Sequence, residues 1–149
     1  MLRYLLFALL LLTLIGCDHD EWQTIETQTF TVRTPPDWKL SEDVGYDTYV
    51  GTISGPQGTL YFDQGLLAFP GLDRVTENDN TLYFERTSVD GVPAIIHKEK
   101  LKYGATSKVV LTAYIDAGDH VHVNRLYAYD PTNKAEHILI EIMKSHRFK

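Results

Sequence analysis

Asp90-Gly91 stands between two runs, Thr81 to Val89 and Val92 to Leu101, that are rich in β-branched, aromatic and aliphatic residues. A two-residue type I′ turn needs positive φ at both central positions, which Asp tolerates and Gly adopts freely, so the pair predicts a β-hairpin. Everything around it must then be compatible with an antiparallel sheet. Pro93 has no N–H to give a ladder and belongs at a strand start or edge. Lys108 to Ile115 alternates, with Val109, Leu111, Ala113 and Ile115 on one face, and Asp116-Ala117-Gly118-Asp119 turns it into His120 to Tyr129. These turns predict a four-strand antiparallel meander.

Upstream, Phe30-Thr31-Val32-Arg33 alternates apolar and polar before Thr34-Pro35-Pro36-Asp37, the pattern of a half-buried strand running into a proline turn. Trp38 opens the next element. Tyr46 to Ser54 and Thr59 to Asp63 flank Gly55-Pro56-Gln57-Gly58, a loop of turn formers that predicts a second hairpin. The polar stretch from Pro70 to Asn80 reads as a surface loop with one helical turn. Near the end the period changes. Ala135, Ile138, Leu139, Ile142 and Met143 recur at three and four residues after Asp130-Pro131, which offers an N-cap followed by proline, so one amphipathic helix closes the chain. Such a helix needs a sheet face to cover. The fold class is α+β, a mainly antiparallel sheet with a C-terminal helix packed on it.

The first residues follow another logic. One cation, Arg3, precedes an apolar run from Leu5 to Ile15, and Gly16 stands before the single cysteine. This is the pattern of a secretory signal, too short for a spanning helix of about 20 residues and followed by Asp18, His19, Asp20 and Glu21 instead of a basic flank. Leu14-Ile15-Gly16-Cys17 resembles the bacterial lipoprotein lipobox at all four positions. The resemblance implies a signal peptide over 1–16 and a diacylglyceryl group on the Cys17 thiol. It also implies localisation in the bacterial cell envelope, lipid-anchored and extracytoplasmic, with inner and outer membrane both open. Two or three buried acyl chains hold a protein firmly on a membrane where one holds it marginally, each CH₂ contributing about 0.8 kcal/mol.

Removing the leader leaves 133 residues, enough for one domain with its own core. The expected organisation is an acylated cysteine and polar tether over 17–27, the end of which also suits a first edge strand, and a single α+β domain over 28–149. With Cys17 acylated no thiol remains for a disulfide, a metal or a nucleophile. The formal charge of −6 becomes −7 when Arg3 leaves, which argues against a nucleic-acid partner, because phosphate binding needs clustered Lys and Arg.

Phe30-Thr-Val-Arg-Thr-Pro-Pro-Asp-Trp38, Gly51-Thr-Ile53, Leu60-Tyr-Phe-Asp-Gln-Gly65, Asp90-Gly91 and the terminal Met143-Lys-Ser-His-Arg-Phe148 together resemble the Mog1/PsbP-like group over nearly the whole mature chain. The resemblance implies an α/β/α sandwich with an antiparallel sheet, and a role in binding or assembling other proteins. No shared catalytic motif comes with it, and fold alone does not carry function.

Three residues suit recognition: Trp38, Tyr61 and Asp63, as planar rings beside a carboxylate at a strand end, against the plainer reading that Trp38 is core and Asp63 merely ends a strand. His120 and His122, two apart on a strand, put both imidazoles on one face near Asn124. Two ligands do not make a metal site, and a third would have to come from Asp116, Asp119, His137 or Glu141. A solvated strand face is the plainer account of the pair, and the one preferred. No Gly-x-Ser-x-Gly elbow and no phosphate-cradling glycine loop is present. The expected function is a non-catalytic binding or accessory module of the envelope, without a cofactor, acting on another envelope protein. A metal-binding envelope protein or a small hydrolase assembled from distant residues is the alternative.

Overall fold

The computed structural model describes residues 22–44, 48–65, 71–103, 105–118 and 123–149. At Asp90 and Gly91 φ is 55° and 78°, and Val89 faces Val92 across the turn, so the I′ hairpin forms as its residues demand. Its arms are β6 (Thr81–Val89) and β7 (Val92–Tyr103). Pro93 sits second in β7, opposite Ser88, just before pairing with the next strand begins at Ala94. Nothing lies within 4 Å of a Cβ placed on Gly91, so any penalty for a side chain there is conformational. Gly91→Val should therefore lower stability by about 1–2 kcal/mol, the cost of forcing a β-branched residue left-handed. An unchanged urea midpoint would show that the turn does not need its glycine.

β8 (Thr106–Asp116) and β9 (Val123–Tyr129) continue the meander. β3 (Lys39–Val44), β4 (Tyr49–Gly55) and β5 (Gly58–Gln64) form a second antiparallel block, with Gly55 opposite Gly58 across Pro56-Gln57. The blocks join where β5 pairs antiparallel with β9, giving one seven-stranded sheet in the order β3-β4-β5-β9-β8-β7-β6. Between Gly71 and Asn80 the chain is irregular apart from a single 3-10 turn at Leu72–Arg74. It is held to the sheet by Arg86, whose Nη2 donates to the Val75 carbonyl at 3.2 Å.

A small sheet ties the two ends of the described chain together. β1 (Gln23–Glu26) pairs with β2 (Phe30–Thr34), and β2 pairs on its other side with β10 (Arg147–Phe148), all antiparallel. The end of the stretch read as tether or edge strand is thus strand from Gln23 onward.

The helix α1 (Asn133–Lys144) begins two residues later than the Asp130-Pro131 pattern suggests. Asp130 is engaged in the sheet: its N–H donates to the Val109 carbonyl at 2.7 Å, and its Oδ1 accepts from the Val109 N–H at 2.8 Å. Thr132 takes the cap, its Oγ1 accepting from the Ala135 N–H. At the other end Ser145 Oγ accepts from the Arg33 N–H at 2.8 Å and so fastens the helix to β2.

Alternation decides what each strand buries. Ile53, Leu60, Phe62, Ala94, Ile96, Leu111, Ala113, Ile115, Leu126 and Ala128 share the inner face of the large sheet. They form one core with Ile25, Phe30 and Val32 of the small sheet and Ala135, Leu139, Ile142 and Met143 of the helix. The large sheet therefore carries the small sheet and the helix on one side, in an α+β, mainly antiparallel fold. Its other face bears Tyr61, Asp63, His97, Thr112, Tyr114, Arg125, Tyr127 and Tyr129.

Candidate functional site

The outer face of the large sheet gathers the chain's most chemically capable side chains. Register places Asp63, Arg125 and Tyr114 in one row across β5, β9 and β8, and Tyr61, Tyr127, Thr112 and His97 in the next row across β5, β9, β8 and β7. The Tyr61 and Tyr127 rings stack 5.4 Å apart at 18°, and Tyr129 stands edge-on to both at 5.6 Å. Two cations lie over these rings: the Arg125 guanidinium 4.5 Å from the Tyr127 centroid, and the Lys108 ammonium 5.0 Å from that of Tyr129. Such contacts contribute about 0.5–2 kcal/mol each, least at an exposed cation such as Lys108, and favour placement of both cations over the rings. Tyr129 is 41 % exposed, so the group opens to solvent on that side.

Deeper in the face His97 is only 5 % exposed and packs 5.5 Å from the Tyr114 ring. Burial pushes its imidazole below the ordinary value. Glu99 opposes the shift and Arg125 adds to it, which keeps the ring neutral at pH 7. Burial also raises the Tyr114 and Tyr127 hydroxyls, with Arg125 pulling the other way. Among the described residues, His97 Nε2 and Arg125 Nε are buried and find no hydrogen-bond partner. The face thus offers neutral phenols, a neutral imidazole and a guanidinium. That is a surface for recognition through ring edges and hydrogen bonds, with the Tyr and Arg enrichment of contact hot spots.

Of the residues singled out from sequence, Tyr61 and Asp63 share this face. Trp38 does not: it is buried on the opposite side of the sheet, its ring against Gly55 and its Nε1 donating to Gln57 Oε1 at 2.9 Å. His120 and His122 lie outside the described residues. Asn124, which shares their alternation, points into the core, its amide nitrogen 3.0 Å from His146 Nε2. Asp116 accepts from the Gly118 N–H, and His137 pairs with Glu141 at 3.7 Å on the exposed side of the helix. Among the described residues no three His, Cys, Asp or Glu side chains converge on a metal position. Nor does any helix among them have the length and apolarity to cross a membrane.

Shallow clefts flank the helix. One, of about 390 Å³, is lined by Lys98, Asn133, Glu136, His137 and Ile140, with the Lys98 ammonium 2.8 Å from both Glu136 oxygens. Another, of about 260 Å³, is lined by Trp22, Arg33, Glu141 and Ser145. Arg125, Tyr127, Tyr129, Tyr114 and His97 were not apparent as a group in the sequence. The available signal was the alternation Arg125-Leu-Tyr127-Ala-Tyr129, which puts three such side chains on one face of β9. No protein-family model matches the chain, and no curated protein matches it in sequence.

Proposed function

We propose that the protein is a lipid-anchored module of the bacterial cell envelope, held through Cys17, that binds or helps assemble another envelope protein and catalyses no reaction. On this reading Leu14-Ile15-Gly16-Cys17 is a working lipobox and the domain has the Mog1/PsbP-like architecture. The supporting observation is the outer face of the large sheet, where Tyr61, Tyr127 and Tyr129 cluster with two cations held over their rings. Rigid aromatic side chains lose little rotamer freedom when a partner covers them, and Arg125 supplies direction.

One experiment in living bacteria tests both parts. A palmitate analogue should label the wild type and leave Cys17→Ser unlabelled. A photoreactive phenylalanine replacing Tyr129 should then give one discrete crosslinked species that weakens on Arg125→Glu. Equal labelling of both forms would remove the anchor, and the absence of any Arg125-dependent species would remove the binding face.

A further inference from the structure

The tether is short, and the point where it enters the domain is chemically distinctive. Only Asp18, His19, Asp20 and Glu21 separate Cys17 from Trp22, and β1 begins at the next residue, Gln23. Five fully extended residues span at most about 17 Å. Trp22 therefore lies within that distance of the lipid carried by Cys17, comparable to the thickness of a headgroup layer plus a few residues.

Trp22 is half-buried, one side packed on the core and the other lining the cleft it shares with Arg33, Glu141 and Ser145. Arg33 is exposed and makes no ion pair among the described residues; its backbone N–H is satisfied by Ser145 Oγ. An indole with one wet edge beside an exposed guanidinium is the pairing that settles at the boundary between headgroups and acyl chains.

We infer that the corner of the domain formed by Trp22 and Arg33 docks into the headgroup layer of the membrane that holds Cys17, fixing the orientation of the whole domain. This inference rests on the lipid-anchor reading. Its second consequence is geometric: Trp22 adjoins the small sheet, on the inner side of the large sheet, so the tyrosine face is turned away from the bilayer and left open to a partner.

Two effects act on the docked state. Asp18, Asp20, Glu21 and Glu141 repel anionic headgroups and Arg33 alone attracts them, so the net electrostatic contribution opposes docking on an anionic surface. The tether outweighs this balance, because a short link presents the corner to the membrane at millimolar effective concentration and a weak contact is then populated.

The chain's two tryptophans allow a direct reading, since Trp38 is 3 % exposed and Trp22 is not sequestered. The lipidated full-length protein is placed in vesicles of phosphatidylcholine and phosphatidylglycerol, with and without brominated acyl chains. Wild-type emission should be quenched by the brominated lipid, and Trp22→Phe should abolish the quenching. Arg33→Gln should reduce the docked-to-undocked ratio about fivefold. Protein that floats with the vesicles but shows no quenching would overturn the docking while leaving the anchor in place. Quenching that survives Trp22→Phe would place a different surface on the membrane and overturn it equally. Full-length protein that does not float with the vesicles would remove the anchor, and the docking with it.

Discussion

Phe30→Ala should destabilise the domain by about 4 kcal/mol, a large part of the roughly 5–15 kcal/mol that holds a domain of this size together. Phe30 is completely buried and joins three parts of the fold. It lies on β2 of the small sheet, meets Phe62 of the large sheet edge-to-face at 5.2 Å, and stacks on His146, just past the helix, at 5.0 Å and 24°. Truncation removes the transfer free energy of the ring and leaves a cavity whose walls belong to different elements, so no single one can close it. Urea unfolding would measure the loss, and a change below about 1 kcal/mol would mean that the two sheets are not held together through this ring.

Acid should weaken the same region. His146 is fully buried between Phe30 and Phe148, and desolvation lowers its pKa to about 4; Asp90 opposes the shift and Arg147 adds to it. The unfolded imidazole takes its proton near 6.5 and the folded one only near 4, so between these values the unfolded chain binds more protons. The contribution is therefore fully present above about pH 6.5, shrinks as the pH falls, and is lost through about pH 4, amounting to about 3 kcal/mol. His97, lowered in the same direction by burial, adds to the slope. Chemical unfolding between pH 7 and pH 4 should show this loss, and His146→Gln should flatten the slope whatever its effect on stability at neutral pH. An unchanged slope in the variant would assign the acid sensitivity to other groups.

Local signals carried much of the fold. The positive-φ demand at Asp90-Gly91, the turn formers from Gly55 to Gly58, the alternation of β8 and the helical spacing from Ala135 to Met143 each act over a few residues, and each is realised there. The β5–β9 junction and the β1-β2-β10 sheet were not legible, because strands distant in sequence choose each other by complementary faces and not by any neighbouring residue. The helix start shows the same limit: Asp130 is a good cap by type, but a rung with Val109 claims it and Thr132 serves instead.

The candidate site divides similarly. Tyr61 and Asp63 are visible as neighbours on one face of a strand, because period-two alternation is local. That the opposing face positions would be Tyr127 and Arg125 depends on the β5–β9 register, which no short pattern encodes. Trp38 belongs to the core because Gly55, directly beneath its ring, has no side chain: a Cβ there would lie 2.4 Å from the indole.

The β5–β9 junction also orders the assembly of the molecule in time. A chain emerging from its N-terminus can make the β3-β4-β5 block early, but the free side of β5 then waits, its N–H and C=O groups unpaired, until the whole meander has followed and residues 123–129 arrive. Even then β2 lacks one neighbour until Arg147 and Phe148 pair with it, and Lys149 supplies a last backbone bond to the Thr29 carbonyl. A chain halted anywhere before its final few residues exposes sheet edges that its own sequence has not yet covered, so partial products are the species most prone to pair with one another.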